Sequence, residues 1–156
     1  MVTIRMASKE DAAAVLALQK LAYQSEARLY NDWAIPPLVQ TIESLLEEFA
    51  GSVVLKAMLD DRLVGSVRAR LNGDTCEIAR LSVHPDLQGR GIGSELLRRI
   101  EGRFDNVARY ELFTGSKSEA NIRLYERHGY KITHTKPMSE KVSFTFMEKR
   151  VGNEGI

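Results

Sequence analysis

The feature that most constrains this chain is a glycine-rich bend, Gln88-Gly89-Arg90-Gly91-Ile92-Gly93. The apolar run Thr75–Val83 before it is typical of a buried strand, and Leu96 and Leu97 after it have the spacing of an amphipathic helix. Backbone N–H groups at the start of such a helix have no partner within the helix, and the helix dipole gives them partial positive charge. Because phosphate oxygens bind well to such amides, the bend predicts a site for a phosphorylated ligand.

The element order predicts one mixed α/β domain over residues 1–150, followed by a polar tail at residues 151–156. Alternating or apolar runs predict seven strands, at residues 2–6, 52–59, 62–71, 75–83, 110–114, 130–135 and 142–149. Helical periodicity predicts about four helices: one after Ser8, one from Pro36 to Gly51, one from the bend to Phe104 and one at residues 119–128. Residues 24–35 show no clear period.

Composition and charge exclude several classes of protein. The 22 basic and 21 acidic residues are interspersed, which argues against a nucleic-acid surface. No apolar stretch approaches the roughly 20 residues that span a bilayer, and the first residues lack a secretory signal. The single cysteine, Cys76, excludes an intrachain disulfide, and His84, His128 and His134 lack metal-ligand spacing. We therefore expect a cytoplasmic protein with no metal, membrane or nucleic-acid partner.

Two common phosphate-binding motifs do not fit the bend. A nucleotide P-loop requires Lys and Ser or Thr after its last glycine, whereas Gly93 is followed by Ser94-Glu95. A dinucleotide-binding fold would place Gly-x-Gly-x-x-Gly near its first strand, whereas this bend lies in mid-chain and does not complete that pattern.

A third motif does fit. The residues from Gln88 to Gly93 match every fixed position of Gln/Arg-x-x-Gly-x-Gly/Ala, the signature of the GNAT family of N-acetyltransferases. A second family motif follows at residues 121–130, Asn121-Ile122-Arg123-Leu124-Tyr125-Glu126-Arg127-His128-Gly129-Tyr130. The order of the predicted elements also resembles that family over nearly the whole chain. The resemblance implies a mixed seven-stranded sheet, with acetyl-CoA in a cleft where the strands at residues 75–83 and 110–114 splay apart.

The resemblance also implies how acetyl-CoA binds. Its pyrophosphate would contact the backbone N–H groups of the bend, its pantetheine arm would pair with the main chain of Leu81 and Val83, and Asn121 would orient that arm. Glycine would allow close approach, because a Cβ at Gly91 or Gly93 would crowd the phosphate or the helix start. The residues implied in cofactor binding are Leu81, Ser82, Val83, Gln88, Gly89, Arg90, Gly91, Ile92, Gly93, Ser94 and Asn121. Arg90 is equally compatible with a solvated surface charge, the interpretation favoured for Arg80.

Glu77 is a candidate general base. An amine with a lysine-like pKa near 10.4 is neutral in about one molecule in a few thousand at pH 7, so its proton needs an acceptor. Protein-lysine acetyltransferases of the family carry their base at the position of Glu77. A salt bridge from Glu77 to Arg68 or Arg70 is the alternative, and both interpretations remain open. Cys76 points to the opposite face of the strand and is expected to be a buried apolar residue.

Tyr125 is the candidate general acid. It lies one helical turn after Asn121, so both side chains project from one face. The family motif places a tyrosine here as proton donor to the departing thiolate. With reference pKa values of about 10 for tyrosine and about 8.5 for a thiol, complete transfer is uphill by roughly 2 kcal/mol, and a strong hydrogen bond would suffice. The alternative is an aromatic ring in the core.

These features predict an N-acetyltransferase that moves acetyl from acetyl-CoA to a small-molecule or peptide amine by direct attack in a ternary complex. A non-catalytic acetyl-CoA-binding or sensing module is the alternative, and a nucleotide-binding regulatory domain is a third. The family resemblance assigns acceptor choice to residues 24–49. It also places the acceptor pocket at the first-helix region, where Tyr23, Tyr30 and Trp33 fit either that pocket or the core. It also makes a homodimer possible.

Overall fold

A seven-stranded sheet organises residues 1–151, the part of the chain that the computed structural model describes. Its strand order is β1-β2-β3-β4-β5-β7-β6, with β4 and β5 parallel and the other neighbours antiparallel. The strands are β1 Val2–Met6, β2 Val53–Leu59, β3 Arg62–Asn72, β4 Thr75–Val83, β5 Arg109–Gly115, β6 Lys131–Pro137 and β7 Ser143–Arg150. The predicted α/β class and mixed seven-stranded sheet are therefore confirmed.

Helices cover both faces of this sheet. They are α1 Ala12–Ala22, α2 Gln24–Tyr30, α3 Pro36–Val39, α4 Ile42–Gly51, α5 Ile92–Glu101 and α6 Glu119–Arg127. At Gly65 on β3, an added Cβ would lie 2.9 Å from the Leu96 side chain of α5, so α5 packs tightly on that face. Arg68, further along β3, contacts α1 and α4 on the opposite face. The main apolar core lies between α5 and the sheet.

The parallel pairing of β4 with β5 is short. Thr75, Cys76 and Glu77 pair with Arg109, Tyr110 and Glu111, and the pairing ends there. β4 nevertheless continues to Val83 beside β3, and β5 continues to Gly115 beside β7. The two strands therefore separate after Glu77, as the sequence analysis expected, and open a cleft in the sheet.

β4 also carries a bulge at the start of this cleft. Arg68 pairs with Ala79 but Ser66 pairs with Ser82, so β4 holds one residue more than β3 across this interval. Arg80 takes up the difference with a left-handed φ of 57°. Strands bend and re-aim side chains at such points.

The helical segments differ most from the predictions. Residues 24–30 form α2 although they show no clear period. The helix predicted from Pro36 to Gly51 is interrupted at Gln40, whose ψ of 136° is extended, and α4 restarts with the Thr41 side chain capping the Ser44 N–H. α5 ends at Glu101 rather than Phe104. Of the predicted tail, Val151 still donates to the Ala108 carbonyl, and residues 152–156 lie outside the described range. Across residues 1–151, no helix reaches the length and apolar character that a membrane crossing requires.

Candidate active site

The glycine bend leads directly into the N-terminus of α5. Gly89 and Gly91 have φ values of 80° and 84°, and Gly91 is the N-cap residue. No side chain caps this end of the helix, so its first amides face outward. A Cβ at Gly91 would meet no protein atom within 4 Å, and one at Gly93 would lie at an ordinary 3.7 Å from Leu124. The expectation that a Cβ at Gly91 or Gly93 would crowd the helix start is therefore wrong. Glycine is favoured at Gly89 and Gly91 because both have a left-handed φ.

The bend forms one wall of an open groove of about 610 Å³, here called the bend groove. The end of β4 and the first turns of α6 form its other walls, together with α1 and α2. Ten of the eleven predicted cofactor-binding residues line it, namely Leu81, Ser82, Val83, Gln88, Gly89, Gly91, Ile92, Gly93, Ser94 and Asn121. The eleventh, Arg90, is exposed and is not part of the lining.

A second, smaller cavity of about 150 Å³ lies between the separated strands and is here called the central cavity. Tyr125 and Asn121 of α6 both line it. The Tyr125 side chain is buried, and burial raises the pKa of its phenol above the ordinary value of 10. Asn121 donates a hydrogen bond of 3.3 Å to the Thr114 hydroxyl on β5, which fixes the amide across the cleft. The structure therefore brings these two predicted residues together.

Two tyrosines close the central cavity, Tyr23 between α1 and α2 and Tyr30 at the end of α2. The Tyr23 hydroxyl donates to the Leu81 carbonyl at 3.4 Å, and the Tyr30 hydroxyl accepts from the Lys117 N–H at 2.7 Å. The Tyr30 ring lies directly against Gly115, where a Cβ would come within 2.1 Å of the phenolic oxygen. Of the aromatic residues considered for the acceptor pocket, Tyr23 and Tyr30 line this cavity, whereas Trp33 is 52% exposed and lines none of the three cavities described here.

A third cavity of about 460 Å³, here called the outer cavity, continues from the central one on the side away from the bend groove. Glu77 lines the outer cavity and accepts hydrogen bonds from Arg70 at 3.1 Å and Asn72 at 3.2 Å. It does not line the central cavity with Tyr125. The ion pair to a strand neighbour is thus present, and the two predicted catalytic side chains lie in adjoining spaces.

Cys76 and His128 lie outside the proposed catalytic pair. Cys76 is fully buried in the core, and burial raises the pKa of its thiol to about 12, so it is a protonated apolar residue at neutral pH. The His128 Nε2 lies 3.0 Å from the Ser94 hydroxyl, and burial lowers the pKa of this imidazole. Among residues 1–151, no group of three or more His, Cys, Asp or Glu side chains is arranged to hold a metal ion.

The sequence of this chain matches a known protein family. The sequence model of the acetyltransferase (GNAT) family matches residues 14–130, which include the bend, the cleft and α6. The chain belongs to the GNAT family. The family predicted from the two motifs is confirmed.

Three named proteins are similar to this chain in sequence. The UPF0157 protein YqkA of Bacillus subtilis is 29% identical over 124 residues, and the match covers 78% of this chain and 35% of YqkA. Acetyltransferase ECA0875 of Pectobacterium atrosepticum is 29% identical, with 81% and 86% covered. The human N-acetylaspartate synthetase is 32% identical, with 76% and 41% covered. The chain thus spans about a third of YqkA and about two fifths of the synthetase.

Solved GNAT structures share the fold over nearly the whole chain. PaiA N-acetyltransferase of Thermoplasma acidophilum, in complex with coenzyme A, matches with a TM-score of 0.79 and 19% identity, covering 97% of this chain and 99% of that one. The ribosomal-protein-S18-alanine N-acetyltransferase of Escherichia coli matches with a TM-score of 0.80 and 17% identity, covering 100% and 99%. At these identities the likeness establishes the fold.

The GNAT motifs did not reveal two residues of the cleft. Glu26 lines both the bend groove and the central cavity and accepts a hydrogen bond from Ser118. It lies in the segment without clear periodicity. Arg80 lines both the central and the outer cavity, and its Nε is buried. The expectation that Arg80 is a solvated surface charge is therefore wrong, because only the β3–β4 register shows the bulge that aims it inward.

Proposed function

We propose that this chain is an N-acetyltransferase that moves the acetyl group of acetyl-CoA to a primary amine by direct attack in a ternary complex. The observation that carries the proposal is the continuity of three spaces through the separated strands. The bend groove and the central cavity share Tyr23, Glu26, Leu81 and Asn121. The central and outer cavities share Ile78, Ala79, Arg80, Leu112 and Phe113. Donor and acceptor can therefore enter from opposite sides and meet beside Tyr125.

The bend groove fits the phosphorylated half of the donor. Its outward-facing amides and the positive end of α5 favour a diphosphate, and the left-handed Gly91 leaves the approach open. Within the described residues, β4 no longer pairs with β5 beyond Glu77. The cleft-facing edge of β4 at residues 81–83 can therefore pair with the amide-rich pantetheine arm, beside the Tyr23 hydroxyl that reaches the Leu81 carbonyl. Bound acetyl-CoA would supply an activated thioester, which an amine attacks without a covalent enzyme intermediate.

Tyr125 is proposed to stabilise the departing thiolate. Burial raises the pKa of its phenol, which makes complete proton transfer to a thiolate more unfavourable than the reference values indicate. A hydrogen bond donated to the developing negative charge avoids that transfer and gains strength from the buried surroundings. We therefore assign Tyr125 as a hydrogen-bond donor, with solvent completing the protonation.

Glu77 is proposed to accept the amine proton through water. It lines the outer cavity, from which the acceptor would enter, and the separation from Tyr125 leaves room for an intervening solvent chain. Glu77→Gln should lower kcat by about 10- to 100-fold at pH 7, the range typical of lost proton-transfer assistance. The loss should shrink at higher pH, where more of the amine is already neutral. A pH-independent loss would remove this assignment.

The decisive experiment measures release of the CoA thiol with a panel of amines, for the wild type and for Tyr125→Phe. The lost hydrogen bond to a charged group should lower kcat by about 10- to 100-fold. Acetyl-CoA affinity, measured by calorimetry, should change little. Tyr110→Phe is the matched control, because the Tyr110 hydroxyl bonds to the Glu101 and Phe104 carbonyls outside all three cavities. Binding of acetyl-CoA without thiol release for any amine would instead indicate a sensing module.

A further inference from the structure

Charged side chains line the outer cavity, and nearly all of them are paired. Arg68 donates to Glu48 at 2.8 Å, and Arg70 donates to Glu77 at 3.1 Å. The third carboxylate of the lining, Glu111, lies 3.4 Å from Arg109. Each acidic side chain in this lining therefore already has a basic partner, and two of the three lining arginines are used for that purpose.

Arg80 is the remaining arginine. Within residues 1–151 its guanidinium has no carboxylate within 4.0 Å, and its Nε is buried without a hydrogen-bond partner. The bulge in β4 places it where the central and outer cavities meet. Arg68 lies close enough to interact with this charge, but it is paired with Glu48 and supplies no counter-charge to Arg80.

Arg80 is half-buried, and only its Nε is both buried and without a hydrogen-bond partner in the described residues. A buried donor without a partner is unfavourable, and the planar set of guanidinium donors matches a carboxylate in a bidentate arrangement. The donor phosphates are not candidates for this role in our proposal, because Arg80 does not line the bend groove that would hold them. A ligand anion bound at Arg80 would instead lie where the central and outer cavities meet, on the side from which the acceptor enters in our proposal.

We propose that the acceptor is an amine that also carries a carboxylate, as an amino acid does, and that Arg80 binds this carboxylate. The inference rests on the proposed function and specifies its acceptor class. The carboxylate on Arg80 fixes one end of the acceptor and directs its amine into the central cavity toward Tyr125. The three ion pairs of the outer cavity leave no uncompensated carboxylate there to attract a polycationic acceptor.

The test compares matched acceptor pairs, each an amino acid and the amine formed from it by decarboxylation, such as phenylalanine with phenethylamine and histidine with histamine. The wild type should show at least about tenfold higher kcat/KM for the amino acid of the best pair. Arg80→Gln should lower that kcat/KM by about 10- to 100-fold, mainly through KM, and lower kcat/KM for the decarboxylated amine by a much smaller factor, so that the preference is lost. Arg80→Lys should give an intermediate loss, because it keeps the charge without the planar fork.

Arg62→Gln is the control, since Arg62 is exposed at the start of β3 and lines none of the three cavities. Equal or better use of the decarboxylated amines by the wild type would overturn the inference and leave the proposed function standing. The same holds for an Arg80→Gln loss that is equal for both members of a pair. The wild-type comparison decides the point even where Arg80→Gln fails to fold. Absence of thiol release with every acceptor would overturn the proposed function and this inference together.

Discussion

We predict that Gly115→Ala, which adds only one methyl group, strongly lowers the free energy of unfolding. The new Cβ would lie 2.1, 2.6 and 2.7 Å from three atoms of the Tyr30 side chain, whereas carbon atoms in contact are normally about 3.5–4.0 Å apart. The ring would have to move by about 1 Å or more. That movement also breaks the hydrogen bond that the Tyr30 hydroxyl accepts from the Lys117 N–H.

The expected loss combines these two effects. Overpacking costs about 1–3 kcal/mol and the lost hydrogen bond about 1 kcal/mol, so the free energy of unfolding should fall by about 2–4 kcal/mol. Urea denaturation measures this, with Gly51→Ala as control, because a Cβ at Gly51 meets nothing within 4 Å. In a Tyr30→Ala background the effect of Gly115→Ala should largely disappear. A loss under about 0.5 kcal/mol, or one that persists without the Tyr30 ring, would refute the reasoning.

Three further predictions follow. Gly91→Glu should abolish acetyl-CoA binding in calorimetry, whereas Gly91→Ala should retain most of it, because both strain the left-handed φ but only glutamate adds bulk and negative charge. Retained binding by the glutamate variant would mean that the phosphates bind elsewhere. Arg68→Met should lower the free energy of unfolding by about 2 kcal/mol in urea, because it leaves the buried Gln19 carbonyl oxygen without its guanidinium donor; an unchanged midpoint would contradict this. The Ser8 N–H and Lys56 hold the pKa of Asp11 below its ordinary value of 3.8. The melting temperature of the wild type should therefore exceed that of Asp11→Asn above pH 3.8, and the difference should vanish as the pH falls through the lowered pKa of Asp11. A difference that does not depend on pH would exclude this linkage.

The strands and the bend could be predicted from sequence because their signals are local. The run Thr75–Val83 carries its own apolar pattern, and its observed bounds agree with the prediction. The bend is recognisable in the sequence because its glycines adopt a left-handed φ that few other residues adopt. The positions of Asn121 and Tyr125 on one face of α6 also follow from helical spacing alone.

The outer cavity could not be predicted in the same way because it depends on distant parts of the chain. The inward aim of Arg80 results from a register shift against β3, which no pattern within β4 encodes. Gln40 interrupts the helix expected after Pro36, and its side chain instead joins the buried Arg68 and Gln19 cluster. Tertiary hydrogen bonds therefore override a periodicity that, read alone, favours one continuous helix.

The division of the cleft bears on how this protein can evolve. Among residues 1–151, none lines both the bend groove and the outer cavity. A substitution in the outer cavity therefore changes no residue that lines the bend groove. Under the proposed function, a duplicated gene could exchange one amine for another while keeping its acyl donor. Under that proposal, separate sets of residues determine acceptor choice and donor binding, and the central cavity connects the two sets.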